Sequence, residues 1–265
     1  MKDVCSFVLI FALLFVPVAY AEQIFVDDYE GMIAGADLTN VLRTPTLGPA
    51  NSAGWISASG SATAQVVAAL DGMAANVNVP KESAIDYLAY LQAEYGNGRF
   101  LVEWALMVDK VNNDRGLFAV RFPTPGNSMQ ILFGFLNDGR LIRFNDTPSA
   151  ASLIKVGQFI ADTRYNVQLI YDLATDRYSV ALNGVDVIVD VPIPTYLDAV
   201  SIDRFGFDIN QTSNIPLPDM PVPEGNNYIV DNVHFSRIEA VPEPATLLLL
   251  GLGLMGVAGV RRRMS

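Results

Sequence analysis

From residue 99 to residue 238 the chain is written in short runs that alternate apolar with polar, a period of two that makes sheets and leaves no room for a long amphipathic helix. Phe100, Val102, Trp104, Leu106 and Val108 alternate with Leu101, Glu103, Ala105, Met107 and Asp109, setting a strongly apolar face against a mixed one. The turn Asn112-Asn113-Asp114-Arg115-Gly116 leads into a run over 117–122. Runs over 129–136 and 140–144 flank Asn137-Asp138-Gly139, and Asn183-Gly184 separates Tyr178, Val180 and Leu182 from Val185, Val187 and Val189. Asp-Gly and Asn-Gly accept the positive φ of tight hairpins, so both junctions predict antiparallel pairs. Tyr165, Val167, Leu169 and Tyr171 supply another alternating face, and further strands are expected over 199–207 and 228–238. Two stretches, 62–70 and 85–95, fit either period. Their strand neighbours favour strands, with a short helix as the alternative. Many short strands joined by Asx-Gly turns predict an all-β fold, two antiparallel sheets stacked as a sandwich. The proline-rich 215–225 cannot pair in a sheet and reads as an insertion between strands.

The two ends follow different rules. Met1-Lys2 opens onto an apolar run from Val4 to Val18, and Ala19-Tyr20-Ala21 has the small–x–small pattern of a signal peptide cut after Ala21. At the other end Pro242-Glu243-Pro244 leads into an apolar run over 245–260, closed by Arg261-Arg262-Arg263. Sixteen helical residues span roughly 24 Å. That is short of a bilayer core about 30 Å thick, so the segment is marginal as a permanent anchor. The arginines belong on the cytoplasmic side, which places the preceding chain outside. Three parts result: a signal peptide over 1–21, a body over 22–240 and a terminal segment over 241–265.

The order Pro242-Glu243-Pro244, short apolar run, arginine cluster resembles the PEP-CTERM sorting signal of Gram-negative bacteria. The resemblance implies general secretion through the inner membrane, where the tail is held transiently, and processing by the membrane peptidase called an exosortase. It also implies delivery to the cell surface or an extracellular polysaccharide matrix. The stretches 25–30, 99–109, 165–184 and 228–233 resemble the concanavalin-like and laminin-G-like jelly rolls found in such proteins. In those folds the first and last strands are often neighbours.

Composition narrows the chemistry. The sole cysteine, Cys5, falls in the signal peptide, so the exported body has no disulfide and no thiolate chemistry. The sole histidine, His234, excludes a three-histidine metal centre. Loss of the three tail arginines moves the formal charge from −11 to −14, which argues against a nucleic-acid partner. Strand adjacency of the jelly-roll kind would bring Asp27, Asp28 and Glu30 toward Asp231 and Asn232, oxygen donors suited to a structural calcium ion. For glycan recognition the candidates are Trp55, placed in a loop-like setting after Gly54, with Tyr171, Tyr178, Asn166 and Gln168. Trp104 shares the apolar face of its strand and reads as core. Laminarinase-type hydrolases carry E-x-D-x-x-E or E-x-D-x-E on one strand, and neither occurs here. Glu103 and Asp109 share a face but lie about 20 Å apart on an extended strand. The expectation is therefore a non-catalytic exported sandwich, with a glycan-binding module as the alternative. A hydrolase with a dispersed carboxylate pair ranks third.

Overall fold

The computed structural model describes residues 20–69, 72–123, 129–145, 152–197, 201–212 and 220–239. Among the described residues sixteen strands run in order: β1 (Tyr20–Asp27), β2 (Val41–Arg43), β3 (Ala53–Ser59), β4 (Thr63–Ala69), β5 (Gly72–Pro80), β6 (Ala84–Gly96), β7 (Arg99–Val108) and β8 (Leu117–Pro123). There follow β9 (Met129–Leu136), β10 (Arg140–Phe144), β11 (Leu153–Gln158), β12 (Tyr165–Asp172), β13 (Arg177–Leu182), β14 (Val185–Pro192), β15 (Ser201–Asn210) and β16 (Gly225–Glu239). They form two eight-stranded sheets. The first has the order β14-β13-β12-β7-β16-β5-β4, with β1 also pairing β16, and the second is β11-β10-β9-β8-β15-β6-β3-β2. Residues 23–237 make one compact unit. Of the second unit, residues 1–22 and 238–265, only the start of β1 and the end of β16 are described.

Both ambiguous stretches are strands. β6 runs unbroken over thirteen residues because β15 pairs one of its edges and β3 the other, and this ladder overrides the helical spacing of Ile85, Leu88 and Leu91. β4 is held along its length by β5. The hairpin signals act as their residues dictate. Asn183 and Gly184 have φ of 51° and 76°, and Gly139 has φ of 88°.

The inner faces meet in an aromatic seam. Trp55 on β3 lies 5.0 Å from Tyr87 on β6, and Tyr87 stacks at 5.4 Å on Phe207 of β15. Phe207 in turn meets Trp104 of β7 at 5.1 Å and Phe118 of β8 at 5.2 Å, and Phe118 meets Tyr228 of β16 at 5.7 Å. The seam therefore ties both sheets together with fully buried rings, each phenylalanine contributing up to about 3 kcal/mol of transfer free energy.

One end of the sandwich is closed by a buried polar network. Asn137 donates to Asp114 and to Gln211, each at 2.8 Å, and accepts from the Tyr228 hydroxyl at 2.8 Å and from Asn226 at 3.2 Å. Asp114 also accepts from the Gly116 amide at 2.9 Å. Three separate segments, the β7–β8 loop, the residue after β15 and the start of β16, are thereby pinned to one asparagine in the β9–β10 turn.

Candidate functional site

The expected meeting of the first and last strands occurs, since β1 pairs β16. The carboxylates it gathers are nevertheless already engaged one by one. Asp27 forms a two-pronged ion pair with Arg43, at 2.6 and 2.9 Å, and accepts the Tyr87 hydroxyl at 2.8 Å. The Arg43 and Asp27 side chains are only 9% and 2% exposed, and the guanidinium covers the Tyr29 ring at 4.7 Å. Trp55 closes the group by donating its indole N–H to Tyr29 at 3.2 Å. Burial first, then the Asp27 charge, pushes the Tyr29 and Tyr87 hydroxyls far above their ordinary range, so both stay protonated.

The remaining carboxylates are held locally. Asp28 accepts from Thr46 at 2.6 Å and from the Glu30 amide at 3.2 Å, and Glu30 accepts from the Met73 amide at 3.0 Å. Asp231 accepts from the backbone and side chain of Asn232 at 2.7 and 2.9 Å, and Asn232 has φ of 52°. Desolvation, together with Glu30 and Asp28 nearby, raises the Asp231 carboxyl to about 6 against the opposing pull of Asn232 and Arg164. Among the described residues no group of three or more His, Cys, Asp or Glu side chains is arranged to hold a metal ion. The structure thus brings Asp27, Asp28, Glu30, Asp231 and Asn232 to one strand junction, with each carboxylate already accepting hydrogen bonds from within the protein. The strands converge, and the Arg43 guanidinium neutralises Asp27.

The expected glycan platform is corrected. Trp55 is not in a loop; it lies on β3 with full burial. Tyr171 stacks on Phe122 at 4.4 Å and Tyr178 is 1% exposed, because both share the inward parity of Val167, Leu169 and Val180. Asn166 and Gln168 do face outward, with Gln168 donating to Glu103 at 2.8 Å, so the amides and the tyrosines occupy opposite faces. Trp104 lies in the core as expected.

Sequence reasoning missed the outer face of the second sheet. There Asp86 on β6 stands directly opposite Asp208 on β15, and Arg121 on β8 reaches both. One guanidinium nitrogen lies 3.1 Å from Asp86 and 3.9 Å from Asp208, and the other donates to the Met129 carbonyl at 2.7 Å. Burial, then the Asp86 charge, raises the Asp208 carboxyl to about 7, with Arg121 opposing, while burial also raises Asp86. All three side chains keep contact with solvent, at 25%, 18% and 23% exposure for Asp86, Asp208 and Arg121. On the same face Tyr90 is 37% exposed, with the Arg204 guanidinium 5.9 Å from its ring centre. Farther along, Leu117, Ala119, Leu136, Ile142 and Phe144 form a small outer core, and Met220 from the proline-rich insertion packs against it. Outward parity was readable at Asp86 and Asp208. Their opposition was not, because register between strands so distant in sequence is a tertiary property.

Residues 240–263 match the PEP-CTERM protein-sorting motif. The motif residues Pro242, Glu243, Pro244, Arg261, Arg262 and Arg263, the apolar run over 245–260 and most of the signal peptide lie outside the described residues. No helix among the described residues is long and apolar enough to cross a membrane. No curated protein matches the chain. Among solved structures, an endo-β-1,4-glucuronan lyase from the fungus Trichoderma reesei is similar at a TM-score of 0.53 and 12% identity, covering 80% of this chain and 94% of that one. The cellulose induced protein Cip1 is similar at 0.52 and 10% identity, covering 79% and 95%. A sialidase is similar at 0.51 and 15% identity over 71% of this chain, which spans 17% of the sialidase's length. Identities this low speak for the fold alone: the body is a jelly-roll β-sandwich of two antiparallel sheets. The sorting motif marks the chain as an exported protein that an exosortase recognises and that passes through the membrane to the cell surface.

Proposed function

We propose that the exosortase removes the tail and that the sandwich then acts without catalysis, at the cell surface or in the extracellular polysaccharide matrix. The observation that carries this reading is the sorting motif, which starts at residue 240 directly behind the last strand of a single sandwich. The body's chemistry supports it, since the carboxylates at the β1–β16 junction are engaged in internal hydrogen bonds and an ion pair. The test is intact mass and cell fraction in the native host. A species beginning near Glu22, lacking the terminal apolar run and recovered from surface or matrix is expected. A full-length chain held in the inner membrane would refute the processing.

A second reading has the outer face of the second sheet contact a glycan, and exposed Tyr90 beside Arg204 favours it. Tyr90→Ala should then abolish retention on the host's own polysaccharide while leaving the thermal midpoint unchanged. Asp86 and Asp208 give the hydrolase reading its one support, two carboxylates of unequal acidity on an accessible face. Release of reducing ends from that polysaccharide without formation of unsaturated sugar ends, lost in Asp208→Asn, would establish hydrolysis over the non-catalytic role.

A further inference from the structure

The outer face of the first sheet carries an uncharged patch that neither the core nor the ion pairs use. On β4 and β5 the register sets Gln65 opposite Asn76 and Thr63 opposite Asn78. β16 extends both rows, with Ile229 opposite Asn76 and Asn227 opposite Asn78. These residues share one parity, opposite to that of Ala64, Val66, Val77 and Tyr228 in the core. Thr63, Gln65 and Asn78 are exposed and Asn76 is half-buried. Among the described residues the side chains of Thr63, Gln65, Asn76 and Asn78 have no hydrogen-bond partner. Asn227 donates to Asp109 at 3.3 Å, which leaves its side-chain oxygen free to accept. The backbone beneath the patch is fixed. Residues 35–38 cover the far edge of β4, with Gly35 donating to Val66 at 2.7 Å, Leu38 to Ala64 at 2.8 Å and Val66 to Ala36 at 2.9 Å.

We propose that this patch binds a neutral glycan through the glycan's hydroxyl groups. The inference rests on the reading that the body works beside a polysaccharide, and it uses the other sheet from the one that carries Tyr90. A carboxamide donates and accepts at once, as a hydroxyl does, so the four neighbouring amides of Gln65, Asn76, Asn78 and Asn227 can pair with successive sugar hydroxyls. Half-buried Ile229 offers its side chain to the C–H face of a ring. Charge selects the class of polymer. The chain has a formal charge of −11, no basic residue lies in the patch, and two acids border it, Asp37 across from Gln65 and Asp109 beside Asn227. An anionic polymer is repelled by that field. A protein partner would need a buried apolar centre, which one isoleucine does not supply. Asparagine has few side-chain torsions to freeze on a rigid sheet, so ordering the patch around a ligand costs little.

The experiment is affinity electrophoresis of the protein purified from its native host, in native gels containing hydroxyethyl cellulose, dextran or galactomannan, with alginate as the anionic comparison. Retardation by at least one neutral polymer, and not by alginate, is expected. Asn76→Ala/Asn78→Ala should raise the dissociation constant about fivefold, since two net hydrogen bonds are lost. The thermal midpoint should not move, because neither amide has an internal partner, and Tyr90→Ala should leave retardation unchanged. Loss of retardation in Tyr90→Ala, with the double variant unaffected, would overturn this inference in favour of the second-sheet face. No retardation in any neutral gel, or stronger retardation by alginate, would overturn it as well. The reading of the body as a surface or matrix protein fails separately, by recovery in the inner membrane fraction alone.

Discussion

Asp27 shows how far a single side chain's role depends on what meets it. As a sequence position it is one of a pair of aspartates at a strand end, chemically fit for a cation. In the fold it neutralises Arg43, with Tyr87 donating a third hydrogen bond. Asp27→Asn is expected to cost about 3–5 kcal/mol, because it strands a buried guanidinium. Chemical denaturation of the 22–240 body measures this, and replacing both partners by apolar residues should cost less than the single change. A loss for Asp27→Asn of under about 1 kcal/mol, the size of an exposed pair, would show that solvent reaches the site. Trp55 teaches the same lesson from the other side. The glycine before it suggested a loop, yet β2 and β6 flank that backbone and carry the indole into the core.

At the scale of elements, the pairing of β6 with β15 sets two like charges opposite each other, an arrangement that costs stability unless a cation or a proton relieves it. Asp208 binds its proton more tightly folded than unfolded, with a folded value of about 7. Its stabilising contribution is thus complete below about pH 4 and lost as the pH rises through 7. Urea midpoints at pH 5 and pH 8 should fall between the two, and Asp208→Asn should shrink that fall; an unchanged difference would show that Asp208 is not the group responsible. The β9–β10 turn makes a separate prediction. A Cβ on Gly116 would stand 2.2 Å from the Asn137 amide nitrogen and 2.3 Å from the Gln211 oxygen. Gly116→Ala should therefore lower stability by about 2 kcal/mol, read as a shifted denaturation midpoint with the slope preserved. Strand β7 was legible from the alternating apolar positions Phe100 to Val108, and β9 and β10 from apolar runs flanking the Asn137-Asp138-Gly139 turn. The strands β3 and β5 were not, because Ala- and Gly-rich runs carry little period of their own and depend on neighbours for their pairing.

As a whole molecule, the chain has to hold together without an internal disulfide, since Cys5 is its only cysteine. The thermal midpoint of the 22–240 body should be the same with and without reductant, in one transition, because the aromatic seam joins the two sheets into one core. Two separated transitions by calorimetry would contradict that coupling. At this scale the sequence by itself determined the class of fold, the single cysteine, the acidic charge balance and the sorting motif. Each of these is local, a matter of period, composition or a short ordered string, and needs no partner strand to be read. Only the tertiary structure decided which carboxylates meet and what neutralises them. It turned Asp27 toward Arg43, placed Asp86 against Asp208, and put the face that carries Tyr171 and Tyr178 inside. The physical reason is register. A strand's period of two fixes which residues share a face, whereas the partner strand and its offset fix which face is inside and what stands across from it.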